Sequence, residues 1–151
     1  MRMHALGCTA AALVVAGLLG ACSSAPSMGT AASAFDQLGG MSSVNKLASG
    51  FVNTTLKDPR LSALTAGRNV DTAAASAKVS DQLCSMLGGG CKAPLTDAQL
   101  SSAASKLSPD QTNAISSNFS STLNSLSSNP AVREAVTKAL GSKLGGLGSL
   151  L

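Results

Sequence analysis

The sequence predicts an all-α domain, and three observations predict it. Apolar residues recur at helical spacing in five successive stretches. Cap residues, prolines and glycines bracket those stretches where helices start and stop. No segment carries the alternating pattern of a half-buried strand.

The elements follow in chain order. Residues 33–38 read as one short helical turn, closed by Gly39 and Gly40. Ser42 or Ser43 is then placed to cap a helix whose apolar stripe is Val44, Leu47, Ala48, Phe51, Val52 and Leu56. Asp58-Pro59 ends it, because a residue before proline avoids the α region. Residues 60–69 read as irregular, and Asp71 as the cap of a helix reaching about Leu87, with Ala75, Val79, Leu83 and Met86 on one face. Gly88, Gly89 and Gly90 break that helix. Thr96 with Gln99 forms a capping box for a helix carrying Leu100, Ala103, Ala104 and Leu107. Ser108-Pro109-Asp110-Gln111 is a stronger start: a cap, a proline in the first position, an acid and a glutamine in register. Its helix carries Ile115, Phe119, Leu123 and Leu126. Asn129-Pro130 starts the last helix, with Val132, Ala135, Val136, Ala139 and Leu140 inward, and the chain then frays through the Gly- and Leu-rich residues 141–151.

The first 21 residues read as a signal rather than as part of the fold. Arg2 gives a basic start, and residues 10–20 form an apolar run too short for a membrane span. It ends in Leu19-Gly20-Ala21-Cys22, which resembles the bacterial lipoprotein box. The resemblance implies cleavage before Cys22 and acylation of that cysteine, hence a membrane anchor; the alternative is an ordinary signal cut after Ala21 that leaves Cys22 free. Residues 22–34, small and polar with Pro26, read as a tether. Ser23 after the lipidated cysteine favours the outer over the inner membrane by Gram-negative sorting rules, so the expected location is the cell envelope, on the periplasmic face of the outer membrane if the cell is Gram-negative.

Composition narrows the function. The formal net charge of +4 is carried by scattered lysines and arginines with no stripe, which argues against a nucleic-acid partner. Charged residues make up 12% and aromatics 2% of the chain, with three Phe and neither Trp nor Tyr, so any core is built mainly from Ala and Leu. The chain's single histidine, His4, lies in the signal, which excludes Ser-His-Asp and Cys-His catalytic sets from the rest. Carboxylates are spread out rather than paired, and the glycine triplet lacks the Lys and Ser or Thr of a phosphate loop. No enzyme activity and no metal site are expected. Cys84 and Cys91 remain for an oxidising compartment, where a disulfide is the expected state and would contribute about 2–3 kcal/mol in the chain-entropy picture; a thiolate metal pair is the alternative.

Four stretches resemble the group 1 truncated haemoglobins, short globins with a two-over-two helical sandwich. Phe35-Asp36-Gln37-Leu38-Gly39-Gly40 is similar to the family's opening aromatic-x-x-Leu-Gly-Gly. The stretch from Phe51 to Asp58-Pro59-Arg60-Leu61 resembles the end of its next helix. Gln82-Leu83-Cys84 through Gly88-Gly89-Gly90-Cys91 is similar to a segment of many secreted members, and Leu107-Ser108 through Leu126 and Pro130 keeps the spacing of the last two helices. The implied domain covers residues 35–144, followed by a tail at 145–151.

The resemblance implies haem as cofactor, and the departures argue against it. The family's proximal histidine, the residue through which globins hold iron, falls on Ser102. Its distal Tyr falls on Val52, its haem-facing Phe on Leu64 or Thr65, and its aromatic after the second cysteine on Ala93. Met41 and Met86 are soft donors, but a methionine on a helix more often fills a core. The expected reading is a lipid-anchored, haem-free relative acting as a structural or interaction module with a protein partner at a membrane. The alternatives are a haem-dependent oxygen or gas binder, and a binder of an apolar small ligand or lipid in the vacated pocket.

Overall fold

The computed structural model describes residues 32–151. The signal, Cys22 and nearly all of the tether lie outside the described residues. Among the described residues there are seven α-helices and no strand. None of the helices is long and apolar enough to cross a membrane.

Helix α1 spans Ala34–Leu38. The Ser33 hydroxyl accepts from the Asp36 amide and caps its start. Gly39 closes it at φ 106°, a left-handed conformation that glycine adopts without a Cβ penalty. Helix α2, Gly40–Lys57, starts directly at the next residue. Ser42 and Ser43 therefore lie inside its first turn and do not cap it, contrary to the sequence reading; the glycine pair leaves no room for a separate cap. Val44, Leu47, Ala48, Phe51 and Val52 are fully buried along its inner face.

Asp58 ends α2 and caps a 3₁₀ turn, Pro59–Leu61, which runs into the short helix α3, Ser62–Thr65. The segment expected to be irregular is thus partly helical, because proline at the first position fixes φ for a new turn. Helix α4, Thr72–Met86, starts on the Asp71 carboxylate, which accepts from the amides of Ala73 and Ala74. It packs closely on α2, where the Ser80 hydroxyl donates to the Asn45 side-chain oxygen. Helix α5, Asp97–Ala104, and helix α6, Pro109–Leu126, both begin in complete capping boxes, with Thr96 and Gln99 in the first and Ser108 and Gln111 in the second. Helix α7, Pro130–Leu140, is capped by Asn129.

Two inward assignments fail. Leu126 is the last residue of α6 and stands exposed at the surface. Ala139 is exposed, because Val132, Val136 and Leu140 already form the inner stripe of α7 at four-residue spacing.

The largest departure is the C terminus. Residues 141–151 do not fray: Gly141–Leu150 form a ten-residue 3₁₀ helix. Such runs seldom exceed three or four residues, so this one draws its order from what it touches. Three residues make one turn, so side chains three apart stack on one face. Leu144, Leu147 and Leu150 have that spacing and are buried. The segment packs against α5, α6, α4 and α7, and α5 above all. Helix α5 meets the rest of the bundle chiefly through it.

Candidate functional site

Cys84 and Cys91 lie at disulfide distance, with a Cα–Cα separation of 5.6 Å. The turn between them is tight. The Gly89 amide donates to the Cys84 carbonyl, and a Cβ on Gly89 would stand 2.6 Å from both Cys84 Sγ and the Phe35 ring. The Phe35 amide donates to the Leu87 carbonyl at 3.0 Å, which ties α1 to the same turn. A buried residue without an assigned role anchors the far side: Gln82 Oε1 accepts from the Leu95 amide at 2.9 Å. The signal was present, since Gln82 stands three residues after Val79 and so shares the apolar stripe of α4.

A second polar knot joins α2 to α6. Asp58 accepts from Arg60 Nε at 3.0 Å, from Arg60 Nη2 at 2.7 Å, and from Asn118 Nδ2 at 3.0 Å. The Arg60 guanidinium holds the Asp58 carboxyl far below the usual carboxylate range; partial burial opposes this, while the Arg60 amide and Asn118 reinforce it. Because the folded pKa is depressed, the knot contributes stability above the ordinary carboxylate range and loses it as pH falls through that range towards the depressed value. The melting temperature is therefore expected to drop between about pH 5 and pH 3, and to drop less in Asp58→Asn. Equal drops in both chains would show that Asp58 carries none of the acid sensitivity.

The positions that the sequence assigns to one haem pocket do not meet around one cavity. Ser102 is exposed on α5 and lines a cleft of about 740 Å³ together with Leu64. Val52 is fully buried in the core of α2 and does not line that cleft. Thr65 is half-buried and donates to the Ser62 carbonyl. Ala93 lines a different cleft, with Met86 and Gln82. Met41 is half-buried against the core.

What stands beside Ser102 is the C-terminal 3₁₀ helix. Gly146 lies against the backbone of Leu100, where a Cβ would stand 2.4 Å from the carbonyl oxygen. Gly145 faces Ala104, and Gly148 faces Ile115 of α6 and Leu64 of α3. The close approach explains the glycines: the segment reaches α5 at backbone distance. Its leucine face fills the interior, and its Gly145 and Gly148 face forms a wall of the Ser102 cleft. Lys143 pairs with Asp97 and fastens the segment to the start of α5.

No family model and no curated protein matches this chain. Among solved structures it is similar to truncated haemoglobin from Tetrahymena pyriformis in its Fe(III) form. Two point mutants of that protein superpose with a TM-score of 0.61 and a third with 0.60; each is 22% identical, over 72% of this chain and 91% of that one. This chain has the truncated-haemoglobin fold. The all-α, two-over-two class read from the sequence is the one found.

The residues that line this truncated-haemoglobin fold do not fit a haem. Ser102, on which the resemblance puts the iron ligand, offers only a hydroxyl, a poor substitute for an imidazole. The described residues contain no histidine. Cys84 and Cys91 lie at disulfide distance from each other, and Met86 lines a different cleft from Ser102. Leu144, Leu147 and Leu150 fill the space behind α5.

Proposed function

We propose that this chain is a haem-free globin-fold module held at a membrane of the cell envelope through acylated Cys22, where it serves as a structural or interaction module. One observation carries the haem-free part: the described residues hold no histidine, and Ser102, where the family resemblance puts the iron ligand, stands exposed on α5 with only a hydroxyl to offer. The Gly141–Leu150 segment supports α5 without a cofactor: its leucine face fills the interior and its Gly145 and Gly148 face walls the Ser102 cleft. The anchor rests on Leu19-Gly20-Ala21-Cys22. Firm attachment follows, because several acyl chains on one residue bury many methylenes at about 0.8 kcal/mol each.

The test is a haem titration of the purified full chain, followed by absorption. The expected result is no saturable binding and no sharp Soret band. Binding at one equivalent with such a band contradicts the haem-free reading and makes the chain a candidate gas binder. Cell fractionation of Cys22→Ser checks the anchor: the variant is expected to leave the membrane fraction, and its retention there would remove acylation from the account.

A further inference from the structure

The cleft beside Ser102 has no role in the reading above, and its lining is chemically selective. Leu64, Ala66, Ala103 and Leu107 give it apolar walls, and Arg68 and Lys106 give it two cations. No carboxylate lines it. The ion pairs among the described residues are Arg60–Asp58 and Lys143–Asp97, which leaves Arg68 and Lys106 without acidic partners. Residues 1–31 contain no Asp or Glu that could reach over to neutralise them. The volume of about 740 Å³ lies within the range of small-molecule sites, roughly 300–1,000 Å³.

These features discriminate among ligand classes. Two unpaired cations without an acid select an anion. The walls are aliphatic and hold no aromatic side chain, so they give a nucleobase or other flat ring nothing to stack on. Leucine and alanine side chains suit a flexible hydrocarbon. Few neutral polar side chains, chiefly Gln99, Ser102 and Ser149, are available, too few for a sugar or a polar metabolite. Gln99 is also committed, since its side chain accepts from the Thr96 amide.

We propose that this cleft binds a single-chain amphiphile of the fatty-acid class. Its carboxylate is taken by Arg68 and Lys106, with the Ser102 hydroxyl available as a donor, and its chain lies along Leu64, Ala103 and Leu107. Gly145 and Gly148 line one wall of the cleft and have no side chains to occupy it. The proposal is independent of the haem titration: a chain that binds neither haem nor fatty acid refutes this inference and leaves the haem-free reading intact.

The experiment is isothermal titration of the full chain carrying Cys22→Ser, so that its own acylation does not compete, with laurate below its micelle concentration. The expected result is saturable binding at one equivalent. Uncharged dodecanol is expected to bind at least tenfold more weakly, as is laurate to the Arg68→Glu, Lys106→Glu double variant. Circular dichroism verifies that the double variant is folded; if it is not, Lys106→Gln is read instead, with a severalfold loss expected. Absence of saturable binding, equal affinity for dodecanol, or indifference to the charge changes overturns the proposal. Attachment to phosphatidylglycerol vesicles without binding of free laurate also overturns it, by assigning the two cations to a membrane surface.

Discussion

Leu147→Ala is expected to destabilise the fold by about 2–5 kcal/mol, as for a leucine removed from the middle of a core. Leu147 is fully buried although it stands four residues from the C terminus. Gly146→Ala is expected to act by a different route with a comparable loss. Its Cβ would stand 2.4 Å from the Leu100 carbonyl oxygen and 2.8 Å from the Leu100 Cα, both backbone atoms that cannot swing aside. Either the 3₁₀ helix or α5 must shift, and overpacking of this kind costs about 1–3 kcal/mol or more. Leu126→Ala is the control: that side chain is 38% exposed, and its loss is expected to change stability by less than about 0.5 kcal/mol. Thermal melts followed by circular dichroism separate these outcomes. If Leu147→Ala melted like Leu126→Ala, the C-terminal segment would be loose and the account of the site would fail with it.

Phe51→Ala is the second large effect, with an expected loss of about 3–5 kcal/mol. The chain has three phenylalanines and no other aromatic residue. Two of them, Phe51 of α2 and Phe119 of α6, meet edge to face at 5.8 Å between ring centres, and both are buried. Around them the core is mostly leucine, valine and alanine, so few neighbours can close the cavity that a lost ring would leave. Domains of this size are stable by only about 5–15 kcal/mol, and one ring is a large share of that. A double-mutant cycle with Phe119→Ala isolates the aromatic contact, expected at about 0.5–1.5 kcal/mol. Strict additivity would show that the rings contribute only as bulk.

Local signals in the sequence located most of the helices. Asp71, Thr96, Ser108 and Asn129 each cap the helix expected of them, because a cap is a side chain bonding to amides two or three residues away and needs no tertiary context. Ser42 and Ser43 were misleading for the same reason: serine signals a cap wherever it precedes an apolar run, and only the geometry at Gly39 shows that α2 has already begun. The C-terminal segment was not legible as structure. Glycine lowers helix propensity, and no cap or 3.6-residue period marks the stretch. Its one signal is Leu144, Leu147 and Leu150 at three-residue spacing, which acquires meaning only once a 3₁₀ helix has something to lie against.

The candidate site divides in the same way. That no histidine is available to hold an iron was visible from the absence of histidine after His4. That the C-terminal segment walls the adjoining cleft was not, because it depends on a contact between residues more than forty positions apart, Leu100 and Gly146. The cations of the cleft, Arg68 and Lys106, come from separate segments, and a sequence scan sees two scattered charges where the fold brings them to one opening.

The central claim is that the segment Gly141–Leu150 lies beside α5 as a fixed part of the fold, and the most direct measurement is a set of nuclear Overhauser contacts on the full chain. The account predicts cross-peaks from the Ile115 δ1 methyl to the α protons of Gly148, and from Gly146 to Leu100, with slowed amide exchange at Leu147. Random-coil shifts and fast exchange through residues 141–151, without those cross-peaks, would contradict it.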